Sequence, residues 1–161
     1  MVSIMDEALE LEVGHKVLEV GGGSGWHAAT IAEIVAPSDA PKEEWGHVYT
    51  IERIPALAAL ARDNIEKAGY GDRITVIHQD GTLGYPEEAP YDRVLVAAAG
   101  PAVPKPLVEQ LSDEGVLLVP VGGVQFYQTL VRLRKKNGQT VEENLGGVAF
   151  VPLIGKHGFE P

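Results

Sequence analysis

The chain has 161 residues, 45% of them apolar and 22% charged, which fits one globular domain with a real core and excludes a long disordered tail or a multidomain assembly. Lys and Arg number 13 against 23 Asp and Glu, a net charge of −10 that disfavours nucleic acid as a partner, and zero cysteines remove disulfides, thiolate nucleophiles and Cys-ligated zinc. No apolar run reaches membrane-spanning length, and Asp6, Glu7 and Glu10 stand where a basic leader would, so a soluble cytoplasmic protein with no membrane partner is expected.

Met1, Ile4, Met5, Ala8 and Leu11 recur at helical spacing, which predicts an opening amphipathic helix that stops near Gly14. Short apolar runs follow at 17–20, 48–51, 74–77, 93–96 and 116–119. They are rich in β-branched residues and lack polar alternation, as strands covered on both faces do. Residues 36–45, with Pro37, Ser38, Asp39 and Pro41, read as a surface insertion before the second strand. Pro55 opens a helix that places Leu57, Leu60, Ala61, Ile65 and Ala68 on one face and stops at Gly69; Arg62 with Glu66 and Asp63 with Lys67 are spaced as i,i+4 pairs on its wet face. Alternation of strand and helix predicts a doubly wound, mainly parallel α/β sheet with right-handed crossovers. Two further strand-like runs, 124–133 and 145–153, flank Asn137-Gly138, so the domain is expected to end in an antiparallel hairpin. Arg132, Arg134, Lys135 and Lys136 beside that turn read as a charged edge that discourages strand pairing.

The strongest chemical signal is Glu19-Val20-Gly21-Gly22-Gly23-Ser24-Gly25, between the first strand and the helix that starts near Trp26. In a doubly wound sheet this turn lies at the carboxyl edge, where ligands bind, and glycines let backbone approach a ligand closely. The dinucleotide fingerprint requires a third glycine where this chain has Trp26, whose indole obstructs close packing beneath a pyrophosphate, so NAD and FAD are demoted. No Gly-Lys-Ser/Thr follows, which excludes a P-loop. The acid in the first strand followed by G-x-G-x-G resembles motif I of class I S-adenosylmethionine-dependent methyltransferases, in which the glycine loop faces the methionine part of the cofactor. Glu19 supports the resemblance, because a carboxylate near the end of a buried strand is costly unless it accepts hydrogen bonds. Glu52, with Arg53 beside it, follows the second strand, where an acid can accept both ribose hydroxyls; it also suits the N-terminus of the Pro55 helix. Asp80-Gly81 follows the third strand, where the resemblance places adenine contacts. Candidate cofactor residues are therefore Glu19, Gly21, Gly22, Gly23, Ser24, Gly25, Glu52, Arg53, Asp80 and Gly81.

Four later stretches narrow the resemblance: 81–86, 89–93, 117–122 and 146–153. They are similar to consecutive stretches of protein-L-isoaspartate O-methyltransferases, over nearly the whole chain. The family implies methylation of the free α-carboxylate of isoaspartyl residues in damaged proteins. An ionised α-carboxylate, with a pKa of roughly 3.5, is already a nucleophile at neutral pH, so neither general base nor metal is needed. Candidate walls for the substrate are Ala97, Ala98 and Ala99 after the fourth strand and Val151, Pro152, Leu153 and Ile154 near the end. The five histidines show no metal-ligand spacing. The family's active-site Ser segment precedes the helix with which this sequence opens, so the resemblance implies a single domain, 1–161, that lacks the family's N-terminal segment; no catalytic residue is carried over, and Ser3 does not inherit the role. Two other readings stay open: a cofactor-binding domain with little or no catalysis, and a class I methyltransferase with another acceptor.

Overall fold

The computed structural model describes residues 1–124 and 127–161. Its elements are α1 (Val2–Ala8), β1 (Lys16–Val20), α2 (Trp26–Val35), β2 (His47–Glu52), α3 (Pro55–Lys67), β3 (Ile74–His78), β4 (Tyr91–Val96), α4 (Lys105–Glu109), β5 (Leu111–Gly122), β6 (Gln128–Lys136) and β7 (Gln139–Val148). The seven strands form one sheet in the order β3-β2-β1-β4-β5-β6-β7. Strands β1 to β5 pair in parallel, while β6 runs antiparallel to both β5 and β7. This is a Rossmann-like, doubly wound sheet with an antiparallel end, as the alternation of strand and helix implies.

Because strand side chains alternate between faces, each apolar run feeds two cores. Val17, Val48, Leu95 and Leu118 pack with α1, α2 and α3 on one face. Leu18, Val20, Ile51, Val94, Val96 and Leu117 pack with Leu107 of α4 and Leu153 on the other. The strand order reverses at β1, which has β2 on one side and β4 on the other, and the crevice this opens lies at the carboxyl ends of the strands.

Several local expectations are corrected. Helix α1 ends at Ala8, well before Gly14, because Glu10 has φ 53 and arginines satisfy the carbonyls that further turns would have used. Arg132 donates to Ala8 O at 3.3 Å, and Arg93 donates to Leu9 O at 2.6 Å and to Glu10 O at 3.1 Å. With the helix so short, Met5 and Leu9 are buried while Met1 and Ile4 face solvent. On α3, Ala58, Ala61 and Ile65 are buried whereas Leu60 is exposed. Lys67 pairs with Asp63 at 2.6 Å as expected, but Arg62 donates to Val76 O instead of pairing with Glu66. The insertion at 36–45 is held by the Trp45 indole, which donates to Pro37 O at 2.9 Å and Ala40 O at 3.1 Å.

The hairpin forms around Asn137 and Gly138, with φ 51 and 72 as a two-residue turn of this kind requires. Strand β7 begins and ends earlier than the run 145–153, and residues 151–154 leave it to bridge β4's end. Residues 125 and 126 of the expected run 124–133 lie outside the described residues, and strand β6 begins at Gln128. Arg134 pairs with Glu10 just past α1 and Arg132 with Glu143 across β6 and β7, so the basic patch lies on an interior strand and not on the edge expected.

Arg93 anchors the end of α1 and is nearly buried. Arg93→Met keeps the apolar stem but strips Leu9 and Glu10 carbonyls of their donor, and a stability loss of about 1–3 kcal/mol is expected. A urea midpoint equal to that of the unchanged protein would show that α1 needs no such anchor.

Candidate active site

At the end of β1 the chain turns sharply, and the turn is clipped to β2: Gly21 and Gly22 donate to Ile51 O at 2.8 and 3.1 Å. Gly21, Gly23 and Gly25 all have positive φ. No heavy atom lies within 4 Å of where a Cβ on Gly23 would stand, so its backbone faces open space. Gly25 caps α2, and a Cβ there would meet Ile65 Cδ1 at 3.1 Å. The close approach that motivates a glycine is thus between α2 and α3. Trp26 points away and is 70% exposed.

Glu52 is 7% exposed and binds the loop: its Oε2 accepts from Gly23 N at 3.0 Å and its Oε1 from Ile54 N at 2.8 Å. Each carboxylate oxygen can accept a further bond, so the group braces the loop and keeps acceptor capacity. Glu19 lies behind the loop, fully buried, on the face of β1 turned towards α2. Its Oε2 accepts from the Thr50 hydroxyl at 2.5 Å, while Oε1 has no hydrogen-bond partner and lies 3.9 Å from His27 Nδ1. Burial pushes the Glu19 carboxyl up, and the repulsion of Asp6 and Glu52 adds to this; His27 and the Thr50 hydroxyl work against it.

Asp80 closes the far end. Its Oδ1 accepts from Thr82 N at 2.9 Å and Thr82 Oγ1 at 2.7 Å, and its Oδ2 from Lys156 N at 2.8 Å. Burial alone would raise this carboxyl, but the Lys156 and Thr82 donors outweigh it and hold it below the usual range. Asp80 thereby ties the turn after β3 to the C-terminal segment. That segment forms the opposite wall: Ala99 N donates to Val151 O and Leu153 N to Ala99 O, both at 2.8 Å.

Between these parts lies a cavity of about 410 Å³, within the range of small-molecule sites. Of the expected cofactor residues, Gly21, Gly23, Glu52, Arg53 and Gly81 line it; of the expected walls, Ala97, Ala98, Val151, Pro152, Leu153 and Ile154 do. Glu19, Gly22, Asp80 and Ala99 stand behind the lining, whereas Ser24 is exposed and, with Gly25, lines a separate cavity between α2 and α3. Gly22 packs on Thr50, the Ser24 carbonyl accepts from Asn64 Nδ2 at 2.9 Å, and Ala99 is consumed in the bridge to Pro152. Sequence reasoning missed Val20, Ile51, Ile54 and Leu57, which complete the lining. Ile54 and Leu57 flank the Pro55 helix start next to Glu52, and that position was their only signal. Among the described residues no group of three or more His, Asp or Glu could hold a metal ion, and no helix is long and apolar enough to cross a membrane.

A family model described as protein-L-isoaspartate(D-aspartate) O-methyltransferase matches residues 1–158. A protein-L-isoaspartate O-methyltransferase of Hyperthermus butylicus is 52% identical over 159 residues, 99% of this chain and 66% of that protein, so the chain spans just under two thirds of that relative's length. A solved protein-L-isoaspartate O-methyltransferase is similar with a TM-score of 0.86 at 28% identity, over 98% of this chain and 47% of the other. The crystal structure of a putative Plasmodium falciparum protein-L-isoaspartate O-methyltransferase in complex with S-adenosyl-L-homocysteine gives a TM-score of 0.79 at 25% identity, covering 95% and 71%.

Proposed function

The chain belongs to the protein-L-isoaspartate(D-aspartate) O-methyltransferase family, and on that premise we propose that it binds S-adenosylmethionine and methylates the free α-carboxylate of L-isoaspartyl residues in damaged proteins. The observation that carries the reading is the cavity bounded by the glycine loop and Glu52 on one side and by Ala97, Ala98 and residues 151–154 on the other. When bound, S-adenosylmethionine supplies a methyl group activated by its sulfonium.

The residues present fit that cofactor. Gly23 leaves open space where a side chain would stand, and Glu52, bonded to its amide, keeps a lone pair on each oxygen. We assign Gly21 and Gly23 to the amino-acid end, Glu52 to the ribose hydroxyls with Arg53 at the rim, and Gly81, held by Asp80, to the adenine end. Glu19 and Gly22 shape the loop from behind, and Ser24 and Gly25 join it to α3 on its outer side.

The substrate carboxylate is ionised at neutral pH and needs no proton removed. The task left to the protein is to hold the reacting atoms about 3–3.5 Å apart and exclude water. The apolar side chains of Ala97, Ala98, Val151, Leu153 and Ile154 suit that task, because they offer no competing nucleophile and surround the carboxylate with little water. We place the chain and its protein substrates in the cytoplasm.

The test incubates the chain with an isoaspartyl peptide and its aspartyl twin in the presence of labelled S-adenosylmethionine. Base-labile methyl ester on the isoaspartyl peptide alone is expected. Label on neither, together with measurable S-adenosylhomocysteine binding, would replace this reading with that of a cofactor-binding domain.

A further inference from the structure

Beneath the glycine loop, ionisable side chains from three elements meet. His27 of α2 places Nε2 at 2.7 Å from Asp6 Oδ1 of α1 and Nδ1 at 3.9 Å from Glu19 Oε1 of β1. The side chains of His27 and Asp6 are 11% exposed and that of Glu19 is 0% exposed. A carboxylate buried with one oxygen unpaired is expensive unless a cation faces it. Around Glu19, Asp6 and Glu52 are acids that repel it, and His27 is the group able to become a cation.

We propose that His27 is a positioning residue for cofactor binding: clamped between Asp6 and Glu19, it holds the buried Glu19 carboxylate in register under the glycine loop and ties the seat of α1 to the shape of that loop. The route is physical at each link. Glu19 Oε2 orients the Thr50 hydroxyl, and Gly22 lies directly on that hydroxyl, with no room for a Cβ between them. An imidazolium at His27 donates to Asp6 Oδ1 and faces Glu19 Oε1 as a charge across 3.9 Å, beyond hydrogen-bond reach. Without a cation at His27, Asp6, Glu19 and Glu52 face one another unopposed. Trp26, one residue earlier, is exposed, so the burial of His27 is a feature of its side of the helix.

The inference rests on the cofactor reading, and its experiment separates the two. S-adenosylhomocysteine affinity is measured by calorimetry for the unchanged chain, His27→Gln, Glu19→Gln and the double variant. If His27 serves by matching the Glu19 charge, His27→Gln weakens binding roughly 5-fold or more, whereas the same change made on Glu19→Gln alters it less than about 2-fold. Additive losses, or unchanged affinity in His27→Gln, overturn the proposal while leaving the cofactor reading intact. An unchanged chain that does not bind S-adenosylhomocysteine overturns both. Should His27→Gln fail to fold by circular dichroism, refolding in the double variant supports the charge match, and its failure to refold overturns it.

Discussion

Replacing Glu52 by alanine is expected to weaken S-adenosylhomocysteine binding by about 1–3 kcal/mol, roughly 5- to 150-fold in Kd. Two effects act together. The carboxylate that we assign to the ribose hydroxyls is lost, and the amides of Gly23 and Ile54 lose their acceptor, so the loop that frames the cavity is freed at the same moment. Glu52→Asp separates them, since it keeps the charge but is too short to reach both amides; an intermediate affinity is expected. Calorimetry decides the matter, and affinity unchanged in Glu52→Ala would remove Glu52 from the site.

The second large effect is expected at Gly22, where the backbone φ is ordinary and space alone is at issue. A Cβ there would fall far inside contact distance of Thr50 Oγ1. Thr50 cannot simply rotate, because it is fully buried and its hydroxyl is the donor to Glu19 Oε2. Turning it away would strip the last hydrogen bond from a carboxylate whose other oxygen already has none. Gly22→Ala is therefore expected to lose about 1–3 kcal/mol of stability by overpacking and to weaken S-adenosylhomocysteine binding as the loop lifts. The double variant carrying Thr50→Ala as well makes room for the new methyl and should recover part of the urea midpoint. A midpoint for Gly22→Ala that matches the unchanged chain would mean that the loop yields freely at this position.

These two residues illustrate how differently parts of the site can be read from sequence. Glu52 is legible because it is an acid at the end of the second strand, and fold topology brings every such strand end to the same edge. The role of Gly22 is not legible: four glycines in 21–25 look alike in sequence, yet Gly23 faces open space, Gly25 adjoins Ile65 and Gly22 adjoins Thr50. Asp80 is intermediate. Its place after the third strand is readable and its two bonds from Thr82 are local, but the third, from Lys156 N, depends on a segment 76 residues away in sequence.

By itself the sequence determined the sheet, its parallel core and antiparallel end, the position of the glycine loop and the family, because periodicity, turn residues and local motifs act over a few residues and carry their meaning with them. Only the tertiary structure decided where α1 stops, which glycine meets which neighbour, that the segment after the hairpin is held by a bridge from Pro152 to Ala99, and that His27 stands between Asp6 and Glu19. Those outcomes depend on partners distant in the chain. Arg93 and Arg132 end the helix, Thr50 constrains the loop, and Ala99 receives the returning chain, and no local pattern specifies a contact whose other half lies on a different element.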